Sequence, residues 1–288
     1  MDFLVTLVNG LSLGGIYAMI ALGYTMVYGI AKLLNFAHGD IIMVGGYAIL
    51  VFLSASPIVS IIASVVFCVL LGISIEKIAY KPLRGSSPLA VLITAIGISY
   101  FLQSLAQIFF GSAPKYAIIA ELGNINIGSL SIAYSTVITL VCSLVIMISL
   151  SMFVKLTKTG RAMVAVSEDK DAARLMGINI NFIIMITFAI GSALAALAGF
   201  FSLLRVPTIM PTYGALPGIK AFTAAVIGGI GSIPGAMLGG ILLGVVECLC
   251  NSVPALAPYT IAIEFAILIV ILLVKPTGIL GKKRREKV

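Results

Sequence analysis

Six stretches of this sequence contain no Asp, Glu, Lys or Arg: 3–31, 41–75, 85–114, 122–154, 175–204 and 221–246. Each is longer than the roughly 20 residues an α-helix needs to cross the hydrocarbon of a bilayer. No water is available there to satisfy backbone N–H and C=O groups, so a spanning segment is either a helix or a strand of a closed barrel. Runs this long and uniformly apolar are not the alternating, roughly ten-residue segments of a barrel. The fold class is therefore all-α, a polytopic integral membrane protein. Only 10% of the 288 residues are charged and 61% are hydrophobic, too little charge to cover a water-exposed surface, which sets an ordinary soluble domain aside.

Several runs contain Gly, Pro or polar breaks, so one run holds more than one helix, and about eight to ten crossings are expected, short and broken helices included. The chain reads as a single transmembrane domain over 1–288 with a hydrophilic loop at 155–181. Basic residues cluster at Lys77, Lys81 and Arg84, within 155–174, and in the tail Lys282-Lys283-Arg284-Arg285-Glu286-Lys287. The positive-inside rule puts these clusters in the cytoplasm. Helices near 57–76, 89–110 and 134–154 then alternate, with 111–133 outside and the N-terminus outside. A single helix over 219–250 would leave the basic tail outside, so the breaker Gly228-Gly229-Ile230-Gly231-Ser232-Ile233-Pro234-Gly235 is read as dividing that run into helices near 219–230 and 234–250, with further helices near 182–204 and 257–274. The start Met1-Asp2-Phe3 has no basic n-region and the first apolar run exceeds a signal-peptide core, so a retained membrane helix is expected. The net charge of +8 acts as a topology signal rather than a nucleic-acid footprint. Cys68, Cys142, Cys248 and Cys250 lie in apolar stretches without metal or oxidoreductase spacing and read as packing residues, with no metal site expected.

In the loop at 155–181, Ser167 is placed to cap a short helix, with Glu168 and Asp169 in its first turn, Arg174 in its last turn and Gly177 at the left-handed position beyond it. Asp171-Ala172-Ala173, followed after three residues by Gly177, resembles the Glu-Ala-Ala-x-x-x-Gly element of ABC importer permeases, with Asp in place of Glu. In that family the helix seats in a cleft of an ATPase; small alanines permit close approach and flanking charges set orientation. An ordinary solvated loop helix is the plainer reading of the same residues.

Three further stretches are similar to one family, the LivH-type permeases of branched-chain amino-acid ABC importers. They are Leu34-Asn35-Phe36-Ala37-His38-Gly39-Asp40, Gly160-Arg161-Ala162, and the long run from Lys220-Ala221-Phe222-Thr223-Ala224-Ala225 through Gly228-Gly229-Ile230-Gly231-Ser232-Ile233-Pro234-Gly235-Ala236, and Lys275-Pro276-Thr277-Gly278 fits as well. The resemblance spans nearly the whole chain. It implies a permease working with a second, related permease, two ATP-binding-cassette ATPases and an external substrate-binding protein, in the cell inner membrane. Relatives in this group carry urea, short amides and other amino acids, so the substrate stays open.

The chain has no G-x-x-x-x-G-K-[ST] sequence, so ATP and Mg are expected on partner ATPases and no cofactor on this chain. Gly160, Arg161, Glu168, Asp169, Asp171, Ala172, Ala173 and Gly177 are the candidate ATPase-coupling residues. Ser99, Gln103 and Gln107 recur every four residues on one helix face, lining a route for solute or bonding to neighbouring helices. Gly228, Gly229, Gly231 and Pro234 form either a pathway element or a close helix contact. Glu264 and Glu247 cannot face lipid; Glu264 is either an ion or proton site or is buried against another subunit. His38, the one histidine, is either a gating group or a hydrogen-bonding loop residue, and Asp40 is placed to cap the following helix. Arg205 to Lys220, with three prolines, reads as an external segment, either a contact for a docking protein or an ordinary proline-rich loop with no such role. No nucleophile, base and acid cluster on an exposed segment, so an enzyme is not indicated. An ATP-driven permease is the leading function; a self-sufficient ion-coupled carrier or channel is the alternative.

Overall fold

The computed structural model describes residues 2–120, 122–127 and 130–281; the basic tail 282–287 lies outside the described residues. In chain order the elements are α1 (Asp2–Ala31), α2 (His38–Phe52), α3 (Pro57–Ile75), a π-helical turn (Glu76–Tyr80), α4 (Pro88–Phe110), β1 (Lys115–Tyr116), β2 (Asn124–Ile127), β3 (Leu130–Ala133), α5 (Tyr134–Leu156), α6 (Lys158–Glu168), α7 (Lys170–Leu175), α8 (Ile180–Arg205), β4 (Thr208–Ile209), α9 (Ala215–Gly228), α10 (Ile233–Ser252) and α11 (Thr260–Val274). Among the described residues, seven helices are long and apolar enough to cross a membrane, and α2 and α9 are shorter apolar helices. Of these, α9 corresponds to the short helix expected near 219–230, whereas the helix expected near 234–250 is the full-length α10, and α2 was not foreseen as a short helix.

Helix starts follow local chemistry. The Ser56 and Ser87 hydroxyls accept from the N–H groups of Val59 and Ala90, each with proline at the first helical position, and Asn179 does the same for Phe182 at the start of α8. Strands β1 and β4 pair antiparallel, as do β2 and β3. These ribbons were not foreseen in an all-α reading; they sit in connections near the N-terminal end of α1.

Helix α1 is apolar on all sides and forms the centre of the bundle, packed by α5, α8, α9 and α10. Its seam with α10 is made by small residues four apart. A Cβ on Gly10 would lie 2.9 Å from the Val245 Cα and one on Gly14 2.6 Å from the Ile241 Cα, while Gly240 and Gly244 press on Ala18 and Gly14. Backbones this close maximise dispersion contact between helices that lipid gives no hydrophobic reason to associate.

The segment after α1 turns back into the bundle. The His38 ring fills the notch left by Gly23, eight residues before the end of α1 and so about 12 Å inside it. Here α2 begins, and it heads toward the N-terminal end of α1. Helix α9 begins at the same depth, because Gly39 rests on Gly214 and Gly218 with no room for a Cβ on any of them. It runs the opposite way, to Gly231 beside Gly29. Two half-helices thus start together inside the bundle and diverge. Residues 206–214 descend to that junction and Lys220 is buried in α9, so the reading of Arg205 to Lys220 as one external segment is corrected: only its first residues lie at the end of the bundle.

The glycine break falls as expected between α9 and α10, but as a closed corner at the C-terminal end of α1. Gly228 abuts the Gly235 carbonyl, and the freed carbonyls of Ile227 and Gly228 accept from the N–H groups of Ile279 and Leu280 at 2.8 and 2.9 Å. The Lys275-Pro276-Thr277-Gly278 turn brings that strand of chain into place. Protein N–H groups satisfy the freed carbonyls of the break.

Candidate functional site

The segment 155–181 is two helices joined at a sharp corner. Gly160 is buried where α6 folds back on α5, and a Cβ there would meet the Val154 Cα at 2.5 Å. Gly160, Met163 and Val166 form the inward face of α6, whereas Arg161 and Glu168 are exposed. The expected cap at Ser167 is corrected. Ser167 lies within α6, its hydroxyl donating to the Val164 carbonyl, and the cap of α7 is Asp169, whose carboxylate accepts from Asp171 and Ala172 N–H, both at 3.0 Å. Glu168 therefore ends α6 rather than opening α7. Both N–H groups share the one oxygen Asp169 Oδ1, and Ser167, still inside α6, is not at the corner where α7 begins.

The far end of α7 is as expected. Gly177 has φ +79 and its N–H bonds the Arg174 carbonyl, while Ile178 N–H bonds the Ala173 carbonyl at 3.0 Å. Ala173 is buried against the protein and Ala172 is open. Leu175 and Met176, which sequence reading passed over, are 89% and 82% exposed at the tip. At the opposite end of α7, the Lys170 ammonium donates to the Ala31 carbonyl at 3.0 Å, so the last turn of α1 is capped from α7. Burial, and then the nearby Arg84 guanidinium, lower the Lys170 pKa. Arg84 in turn joins the buried Glu76 carboxylate and Asn181 at the start of α8.

The residues read as pathway-lining do not converge. Gln103 donates to the Asp40 carboxylate at 2.9 Å and to Ser99 at 3.3 Å, whereas Gln107 is exposed on the outside of α4. Asp40 does not cap α2, whose N-cap is Ala37 without a side-chain bond; the aspartate is taken by α4 instead. Around the half-helix junction, Tyr24 meets His38 and Phe222 edge-on at 4.8 and 5.8 Å between ring centres, and Phe36 leans on Phe222 at 5.3 Å. Asn35 accepts from the Tyr80 hydroxyl at 2.9 Å. His38 thus lies buried at the start of α2 rather than in a loop, and as expected it is hydrogen-bonded, to the Ile20 backbone. Gly228, Gly229, Gly231 and Pro234 lie apart, at the α9–α10 corner.

Glu264 is 1% exposed within its own chain, which overturns burial against another subunit. It meets Glu247 and Lys220, and the sequence offered only a weak hint of this third partner: a lone lysine between two apolar stretches.

A model of the family described as "Branched-chain amino acid transport system / permease component" matches residues 6–272. The chain is 44% identical to the high-affinity branched-chain amino acid transport system permease protein BraD of Pseudomonas aeruginosa, over 99% of this chain and 98% of that protein. It is 41% identical to the corresponding LivH protein of Escherichia coli, over the same shares. Among solved structures, PsaBC from Streptococcus pneumoniae in complex with Fab shares the fold at TM-score 0.51 and 13% identity, covering 93% of this chain and 91% of that one. A multi-pass helical bundle matched along nearly its whole length in this way leaves one assignment: the chain belongs to the branched-chain amino acid transport system permease family.

Proposed function

We propose that this chain is the membrane-spanning subunit of an ATP-driven importer of branched-chain or related amino acids in the cell inner membrane. It acts beside a second, related permease, two ATPase subunits that hold ATP and Mg, and an external binding protein. The relatives' printed function supports the substrate class. Apart from Lys115, Arg205 and buried Lys220, every lysine and arginine among the described residues lies at the C-terminal end of α1, which supports a cytoplasmic position for that end and for 155–181.

The uncovered tip of α7 carries the reading. Leu175 and Met176 stand out beside Arg174 at the basic end, and an exposed apolar tip beside a cationic side chain suits a cleft in a partner ATPase. Closure of the ATPase dimer would move α7, and the Lys170 bond to the last turn of α1 would carry that movement to the helix on which α5, α8, α9 and α10 pack. Binding specificity is assigned to the external protein and the energy to the ATPases; this chain converts movement into opening.

The test is purification of the tagged chain from gently solubilised native membranes, with Leu175 and Met176 both changed to Ser. P-loop ATPases should co-purify with the unaltered chain and be lost with the variant, while both chains give the same yield and elution profile. Recovery of the unaltered chain without any ATPase would sink the reading.

A further inference from the structure

Four helices place one polar side chain each at a single point, buried except at half-covered Glu247: Tyr17 of α1, Lys220 of α9, Glu247 of α10 and Glu264 of α11. The Lys220 ammonium lies 2.8 Å from Glu247 Oε1 and 3.3 Å from Glu264 Oε1, and the Tyr17 hydroxyl donates to Glu247 Oε2 at 2.7 Å. Three of the four carboxylate oxygens thereby have a donor. The fourth, Glu264 Oε2, is buried without one, and the Glu264 and Glu247 carboxyls lie within hydrogen-bonding reach of each other.

With both glutamates ionised, one ammonium would face two negative charges, leaving an uncompensated charge beside hydrocarbon, where burial penalises it most. Two ionised carboxylates would also repel across their shared contact. A single proton on Glu264 removes both faults, since the site becomes neutral and the two carboxyls, within reach of each other, share a hydrogen in place of repelling. Other charged or titratable groups nearby are Cys248 and Cys250 on α10 and, from the end of α8, Arg205, which bonds Cys248; none supplies a cation in contact with Glu264. Helix α11 depends on this point, because Thr260 and Glu264 are its buried residues and the rest of its surface is open or half-covered.

We propose that Glu264 is a proton-binding site, and that the neutral cluster of Tyr17, Lys220, ionised Glu247 and protonated Glu264 is the clasp fastening α11 to α1, α9 and α10. The proton is retained rather than transported, so the proposal goes beyond the ATP-driven reading and stands or falls apart from it. Because the folded chain holds a proton that the unfolded chain releases at neutral pH, stability conferred by the clasp is lost as pH rises.

The experiment measures the unfolding midpoint of the purified transporter in nanodiscs against pH, in sodium-free and sodium-containing buffer. Glu264→Gln, which keeps a neutral hydrogen-bonding group, should retain the midpoint and abolish its alkaline fall, whereas Glu264→Ala lowers it at every pH. Lys220→Met should lose stability and regain it when combined with Glu247→Gln but not with Glu264→Gln; if Lys220→Met yields no protein, recovered yield reads the rescue. An ionised Glu264 would show the reverse: Glu264→Gln as damaging as Glu264→Ala, and rescue of Lys220→Met by either glutamine. A sodium-dependent rise in midpoint that Glu264→Gln removes would make this a metal-cation site and overturn the proton.

Discussion

Lys170 and Gly177 have different jobs at opposite ends of one short helix. Lys170 reaches out of α7 to a carbonyl of α1, so Lys170→Met should leave the ATPases bound but lower transport at equal ATPase content in reconstituted vesicles. Equal transport by that variant would show that α1 takes its movement from elsewhere. Gly177 has no neighbour within reach of a Cβ, and its need is conformational: alanine at φ +79 costs roughly 1–2 kcal/mol. Gly177→Ala should loosen the end of α7 and speed amide hydrogen exchange at 175–178, without changing the rest of the bundle. The Asp-Ala-Ala-x-x-x-Gly spacing made Gly177 readable in advance because left-handed backbone selects glycine locally. Choosing Asp169 over Ser167 as cap was not readable, since both residues can cap and the corner that favours Asp169 is set by how α6 packs on α5.

At the scale of helices, the α1–α10 seam and the α9–α10 corner both rest on glycine, for different reasons. The seam needs absent Cβ atoms so that backbones touch. Gly14→Val should cost on the order of 1–3 kcal/mol from overpacking and shift the unfolding midpoint downward; an unchanged midpoint would mean that the seam separates more easily than its contacts indicate. The corner also needs the carbonyl partners supplied by residues 279–280. The break itself was legible from Gly228 to Gly235. Its closure was not, because the chain that seals it lies about fifty residues further on. Likewise Ser99 and Gln103 were rightly placed on one face, but nothing in a four-residue spacing says that the partner is Asp40 or that Gln107 is left outside.

For the whole molecule, the asymmetry of basic charge makes a topological prediction. Cysteine replacing Lys275 should react with a membrane-impermeant maleimide only in inverted vesicles, and cysteine replacing Lys115 only in intact spheroplasts, both in a background lacking the four native cysteines. The opposite pattern would invert the proposed orientation. The sequence by itself determined the membrane environment, the helical class and the ends of most helices. Charge-free length, capping residues and breakers act within a few residues and need no knowledge of the fold. Tertiary structure alone decided that α2 and α9 start together inside the bundle, that His38 fills the Gly23 notch, and that Lys220, Glu247 and Glu264 meet at one point. In lipid a polar group must find a partner, but any of several helices can supply it; which one does so depends on how backbones pack across distances that no local pattern records.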